Sequence, residues 1–263
     1  MGLPETLFKV KIEMEIGILV KPVISEINLK VINKISDDKN FQINLAIIDC
    51  RPKLSFRKKT KKNLKRGRGG YIIIMFFNKL ISKKERIYKT TEICQSKGIN
   101  ILETDSPYSS ETVTAIREHE LDILLLINGY GIIKREFLTI TRLGILSYHH
   151  GDMRKYRGMP PVFWELYNNE KEIGITVQKL DTGLDCGIPV VEKSVQIGKK
   201  DTLRSLNRRI YNEGADMMHD ALIKLSDPEF KPDKIESFGK VYTLPDLRQW
   251  LILQIKILFR LLK

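Results

Sequence analysis

A chain of 263 residues, 42% hydrophobic and 29% charged, is long enough to bury a sizeable core, and its composition excludes a disordered or fibrous protein. The three cysteines, Cys50, Cys94 and Cys186, are too few and too scattered for a disulfide framework or a C-x-x-C metal site, so a reducing cytoplasm and no bound metal are expected. The formal charge of +13 resembles a nucleic-acid signal until it is located: residues 51–70 carry ten Lys or Arg and residues 247–263 carry four, with no acid in either segment. Those fourteen cations exceed the net charge, so the rest of the chain is close to neutral and nucleic acid is not the expected partner.

In chain order, Glu5, Lys9, Lys11, Glu13 and Glu15 interrupt the first twenty residues before a secretory segment can develop, and no apolar run reaches transmembrane length. Met1-Gly2 with Thr6 matches the bare N-myristoylation pattern, which is short enough to arise by chance. Residues 15–20 read as a buried strand. Pro22 and the apolar positions Val23, Ile24, Ile27, Leu29, Val31, Ile32 and Ile35 then predict a helix opened by the proline. Residues 43–48 predict a second buried strand, the usual start of a parallel α/β sheet. The first turn, residues 21–24, lacks the glycines of a dinucleotide-binding or P-loop fingerprint, which argues against NAD and ATP.

The cationic segment 51–70 has no apolar face and reads as a solvated loop or insertion, while the apolar run 71–81 predicts a buried helix. Further strands are predicted at 99–102, 122–127, 145–148, 174–179 and 188–196, with a helix from about Ser110. Leu203, Leu206, Ile210, Met217, Met218, Leu222 and Leu225 predict one long amphipathic helix over 200–226, capped by Asp201 or Thr202. Together these elements predict an α/β fold, a Rossmann-like, mostly parallel sheet with helices on both faces. The expected organisation is one catalytic domain over residues 1–226, with 51–70 as a basic insertion, and a short helical extension over 227–263.

Chemistry concentrates in the segment GILSYHHGDMRKYRGMPP, residues 144–161. A predicted strand ends there and a Gly- and Pro-rich loop begins, and carboxyl ends of strands in α/β sheets are where ligands bind. His149 falls at that strand's end. From the residues alone, a structural histidine and a functional one both remain open. Residues 127–191 resemble the core of the 10-formyltetrahydrofolate-dependent formyltransferases, the superfamily that acts on methionyl-tRNA, glycinamide ribonucleotide and amino sugars. That family has a Tyr-Gly turn, a strand carrying Asn-x-His, a loop with Arg-Gly, and Leu-Asp-x-Gly. This chain has Tyr130-Gly131, Ser147-Tyr148-His149, Arg157-Gly158 and Leu184-Asp185-Cys186-Gly187, in the same order and at similar spacing.

The resemblance implies that His149 is the catalytic histidine and Asp185 the aspartate that orients it and helps move the proton. An amine attacking a formyl carbon makes the oxygen negative and the nitrogen positive, so the site needs a donor facing the oxygen and a base facing the nitrogen. It further implies a folate cleft bounded by Tyr130, Gly131, Ile132 and Ile133 on one side and by Leu180, Asp181, Thr182, Gly183 and Leu184 on the other, with 10-formyltetrahydrofolate as formyl donor. Ser147, also assigned to the catalytic set, stands where the family has asparagine. Gly151-Asp152-Met153-Arg154 stands where the family has Ser-Leu-Leu-Pro. His150, Asp152, Arg157 and Gly158 are candidates for contact with the amine.

Within that family, only 37 residues follow Ser226, fewer than the carboxy-terminal domain of methionyl-tRNA formyltransferases, and residues 21–24 lack the phosphate loop of the glycinamide ribonucleotide enzymes. The acceptor expected by elimination is an amino sugar, free or nucleotide-linked, for surface polysaccharide synthesis. The alternatives are a hydrolase that deformylates the folate and a silent module that binds folate or a sugar nucleotide. Residues 247–263 predict a helix with a wide apolar surface and a narrow arc holding Gln249, Lys256, Arg260 and Lys263. Such a helix docks on the core, pairs with a second subunit, or lies in a membrane interface with its bases toward anionic lipid.

Overall fold

The computed structural model describes residues 14–52, 55–65, 69–81 and 85–262; the segment with the myristoylation pattern lies outside them. Strand β1 (Met14–Val20) is almost wholly buried and forms the middle of the sheet. After Pro22 the chain does not enter a helix at once. Val23 and Ile24, β-branched and so suited to extended backbone, form β2 (Val23–Ser25), which later pairs antiparallel with β4 (Ile87–Lys89). Helix α1 (Glu26–Ser36) starts only when the Ser25 hydroxyl accepts the Asn28 N–H, a side-chain cap that sets its first turn. Strand β3 (Phe41–Asp49) follows and pairs parallel with β1.

The basic segment differs from its expectation. It forms α2 (Phe56–Lys65), a helix with no acid, followed by α3 (Gly69–Ile81), which packs against it. The unbranched side chains of Lys and Arg, with four and three methylenes, are good helix formers, and the partner helix supplies the contact that the segment's own sequence lacks. Helix α3 is only partly buried: Ile74 is inside while Ile73 and Phe76 face out.

Beyond β4 come α4 (Thr90–Lys97), β5 (Asn100–Thr104), α5 (Ser110–Glu118) and β6 (Ile123–Leu126). The site region is then built from β7 (Ile145–His149), β8 (Tyr156–Gly158), α6 (Phe163–Tyr167), β9 (Glu172–Lys179) and β10 (Ile188–Gln196). The seven-stranded sheet runs β10-β9-β7-β6-β1-β3-β5, parallel from β7 to β5, with β9 and β10 antiparallel. The predicted strands and the mostly parallel sheet are therefore present. From β1 the chain moves to one side through β3 and β5, then crosses back to β6 and β7. That reversal opens a crevice beyond the carboxyl ends of β1 and β6, where open α/β sheets bind ligands.

Side-chain alternation gives each face of the sheet its own core. Ile16, Ile18 and Val20 pack on one face with Val31 and Ile32 of α1, whereas Leu19, Leu45 and Ile145 pack on the other with Ile116 of α5. The predicted helix over 200–226 is two helices, α7 (Leu203–Gly214) and α8 (Met217–Ser226). The hydroxyl of Tyr148 inserts at the joint, donating to the Ala215 carbonyl and accepting the Met218 N–H, which interrupts the helical ladder. Thr202 caps α7 as expected.

The last segment is stitched to the body. Strand β11 (Lys240–Tyr242) pairs parallel with β8, and α9 (Leu247–Leu262) packs on α3 and α6 through buried Leu253 and Ile257. Of the three expected placements the helix docks on the body, and two of its bases turn inward: Lys256 donates to the Tyr167 carbonyl at 2.6 Å and Arg260 to the Gly198 carbonyl at 2.9 Å, while Arg248 is exposed and Lys263 lies outside the described residues. Backbone carbonyls have two lone pairs, and those of Tyr167, at the end of α6, and Gly198, which also accepts the Asp201 N–H, hold these cations against the body.

Candidate active site

His149 is the last residue of β7, buried, with its ring held at both nitrogens. Nε2 lies 2.8 Å from the Tyr156 carbonyl, and a carbonyl only accepts, so Nε2 carries a proton and Nδ1 is the nitrogen left to exchange one. Nδ1 faces the Asp185 carboxylate at 3.5 Å, beyond a tight hydrogen bond. Burial alone would lower the His149 pKa, but Asp185 and the Tyr156 carbonyl outweigh it and raise it above the usual imidazole range. Burial likewise works against the Asp185 carboxylate, yet His149 and the Gly158 N–H hold it below its usual range. His149 and Asp185, matched only by motif in the sequence, are therefore one unit.

The aspartate is positioned by backbone. Asp185 adopts φ 49°, a left-handed conformation that Asp and Asn tolerate better than most residues. Its Oδ2 accepts the Gly158 N–H at 2.7 Å. Arg157 donates to the carbonyls of Gly239 and Leu184 and contacts Cys186 Sγ, so this guanidinium holds the loop that carries Asp185. Gly158 has φ 89°, and the Tyr242 carbonyl oxygen occupies the place a Cβ would take. Gly158→Ala should therefore break the β8–β11 pairing and move the N–H on which Asp185 rests. We expect a loss of at least ~2 kcal/mol in urea unfolding, with transfer activity falling alongside; unchanged stability would show that the backbone adapts freely.

The two expected folate loops converge on one face of the sheet. Tyr130 is core, its carbonyl tied by Arg51 at 2.9 Å, and Ile133 and Leu180 pack on the same apolar cluster. Gly131 has φ 77° and open space around its Cα, Ile132 is 81% exposed, and Leu184 is 45% exposed. Asp181 accepts the Thr182 N–H, and Gly183 has φ 105°. Ile145, Ser147 and His149 share that face by the two-residue period of β7. Ile132 and Leu184 therefore present apolar side chains at the surface, each in a loop that also holds a glycine of positive φ.

On the other side lies a cavity of about 560 Å³ in the crevice beyond β1 and β6, lined by Ser25, Asn28, Asn128, Ser147, Tyr148 and His150 among others. His150 also lines the narrow cleft that contains His149, and so joins the two spaces. Its ring lies between those of Tyr148 and Tyr211, and burial, with the neighbouring His149, pushes its pKa down to about 4. At neutral pH it is uncharged and can donate or accept. Ser147 is buried, its hydroxyl 3.4 Å from the Tyr148 carbonyl. Asp152 is not brought to either space: it accepts from Arg154 and lines a separate cleft beside β9 and β10.

Two groups near the site escape the sequence reading. Asp49 is fully buried at the end of β3, paired with Lys21 and Arg51, and despite its burial its pKa drops to about 2. Arg51, counted with the basic segment, thereby connects β3 to the Tyr130 turn. Glu165 is buried on the Nε2 side of His149, and burial raises its pKa to about 7. An acid inside the apolar run 162–167 was the signal available for it.

The comparisons with known proteins bear on this geometry. A family model described as formyl transferase matches residues 78–222, more than half of the chain and the whole His149–Asp185 region. The chain belongs to the formyl transferase family. It is 31% identical over 145 residues to a methionyl-tRNA formyltransferase of Caldanaerobacter subterraneus, covering 54% of this chain and 47% of that protein, so it spans about half the length of this curated relative. Its fold is that of glycinamide ribonucleotide transformylase 1 from Symbiobacterium toebii, with TM-score 0.59 and 17% identity over 89% of this chain and 99% of that one. An N-formyltransferase from Helicobacter canadensis, solved with folinic acid and dTDP-3-aminofucose, gives TM-score 0.57 and 14% identity over 88% of this chain and 71% of that one.

Proposed function

We propose that this formyl transferase moves the formyl group of 10-formyltetrahydrofolate to the primary amine of an amino sugar, free or nucleotide-linked. The observation that carries the reading is the His149–Asp185 unit at the end of β7, with His150 beside it lining both the narrow cleft of His149 and the crevice cavity. The amine nitrogen bonds to the formyl carbon as that carbon's bond to folate N10 breaks, and the departing N10 takes up the proton that His149 has accepted from the amine. His149 Nδ1 accepts the proton that the attacking amine must lose, since Nε2 is already committed to Tyr156. Asp185 stabilises the imidazolium so formed and returns His149 to one orientation. Neutral His150, at the junction of the two spaces, orients the acceptor, and the cavity's size suits a small molecule.

Ser147 takes the place of the family's asparagine as donor to the developing oxyanion. Its hydroxyl sits nearer the backbone than an amide, so His150, a backbone N–H or a bound water completes the contact. Ser147→Ala should lower transfer without abolishing folate binding, and Ser147→Asn should retain or raise it, as a lost oxyanion donor costs ~10²–10³ in rate. Transfer by the asparagine variant alone, with none by the unaltered chain on any amine, would instead make this a silent folate-binding module.

A second reading, formylation of methionyl-tRNA, is favoured by the activity named for the curated relatives. One assay separates the readings: formyl transfer from 10-formyltetrahydrofolate to amino sugars, nucleotide-linked amino sugars and methionyl-tRNA, with formate measured when no amine is added. The proposal predicts product with a sugar amine. Product with methionyl-tRNA alone, or formate release without any amine, would replace it by the second reading or by a hydrolase.

A further inference from the structure

Helix α9 has its two polar anchors, Lys256 and Arg260, turned inward onto backbone carbonyls, together with Leu253 and Ile257. The arc left facing out begins at exposed Arg248 and is otherwise apolar: Leu251, Ile255, Leu258 and Phe259 follow at intervals of four, three and one, the spacing of one helical face. Phe259 is 62% exposed. Helix α3, which packs on α9, adds exposed Ile73 and Phe76 beside it. Exposed apolar side chains clustered in this way mark an interaction surface.

The neighbouring helix decides what the surface meets. Helix α2 packs on α3 and exposes Arg57, Lys58, Lys59, Lys61 and Lys65 without a single acid. An apolar face flanked by concentrated positive charge matches an anionic lipid surface, with the side chains of α3 and α9 entering the acyl boundary and the cations of α2 meeting headgroups. A second copy of the chain would bring two such cationic helices together and pay for their repulsion. Nucleic acid would use the cations and leave the apolar arc in water. No described helix is long and apolar enough to cross a membrane, so the contact is one of lying on the surface.

We propose that the α2, α3 and α9 face binds the surface of an anionic membrane. This differs from a helix resting on lipid through Lys256 and Arg260, because most of the charge comes from α2, with Arg248 of α9 beside it, and the apolar contact from the side of α9 opposite Lys256 and Arg260.

The test is co-sedimentation of the full chain with extruded vesicles of phosphatidylcholine alone or mixed equally with phosphatidylglycerol. Binding is expected to the anionic mixture, weakening as salt is raised. Each cation near the surface contributes about a fivefold factor, so Lys58→Glu with Lys59→Glu and Lys61→Glu should weaken binding by at least about a hundredfold. Ile255→Ser with Phe259→Ser should weaken it while leaving the salt dependence of the residual binding in place. All five positions are exposed, so circular dichroism should be unchanged in both variants. Failure of the unaltered chain to bind anionic vesicles would overturn the proposal. So would vesicle binding unaffected by either variant, or self-association in sedimentation velocity that the Ile255/Phe259 variant abolishes while vesicle binding stays the same.

Discussion

His149→Ala is expected to lower formyl transfer by ~10²–10⁴, the range for removal of a general acid–base group. The size follows from the ring's surroundings. Nε2 is fixed on the Tyr156 carbonyl at 2.8 Å, so the whole exchange of protons with the amine falls to Nδ1, and no other described side chain in the narrow cleft duplicates it with a charged partner. His150 is the nearest imidazole, but with its pKa near 4 it is too weak a base to take over. Folding should survive the change, because the core on this face is built from Leu19, Leu45, Ile145 and Ile116 rather than from the histidine. Turnover on the best amine acceptor, measured beside the thermal midpoint, checks the prediction; unchanged turnover would remove His149 from the mechanism.

Asp185→Asn is expected to act through His149 and to show this in the pH profile. In the unaltered chain the carboxylate raises the His149 pKa, so the base form is reached only as pH rises past the ordinary imidazole range. The amide removes that anion, and the acidic limb of the rate profile should shift to lower pH. The plateau should nevertheless fall by ~10²-fold or more, since the imidazolium that forms during transfer loses its counter-charge. Asparagine is the suitable replacement because φ 49° is open to it, whereas most other residues would add backbone strain. The stability signs are opposite for the two partners. The raised His149 pKa stabilises the fold below the ordinary imidazole pKa and ceases to do so as pH rises through its folded value. The lowered Asp185 pKa stabilises above the ordinary carboxylate pKa and is lost as pH falls through its folded value. A plateau loss with no shift of the limb would mean that Asp185 positions the loop alone. Glu165, with a pKa near 7 on the far side of the ring, titrates in the same window, and Glu165→Gln provides the control.

Much of the sheet was legible because its strands are short apolar runs, and such runs survive in any context that buries them. The place of His149 was legible because Ile145 and Leu146 open a strand and the Gly- and Pro-rich loop after His150 marks its end. What stayed hidden depends on partners distant in the chain. The Tyr156 carbonyl fixes the reactive nitrogen only because β8 turns back over β7, and no side chain records that. Arg51 disappeared into a count of cations, since net charge carries sign but not which cation meets a buried Asp49. The joint between α7 and α8 comes from Tyr148, some seventy residues earlier, while periodicity alone runs straight through it. For α9 the pattern put Lys256 and Arg260 on one arc, but that this arc faces inward was decided by the carbonyls of Tyr167 and Gly198.

The central claim is that His149 performs the transfer while the loops around Tyr130 and Leu180 hold the folate, and one paired measurement tests it most directly. Folinic acid binding by calorimetry and formyl transfer to the best acceptor should be determined on the same preparations of the unaltered chain and of His149→Ala. The account predicts that affinity for folinic acid stays within about threefold while transfer falls by ~10²-fold or more. Equal transfer in the two proteins, or loss of folinic acid binding in step with transfer, would contradict it.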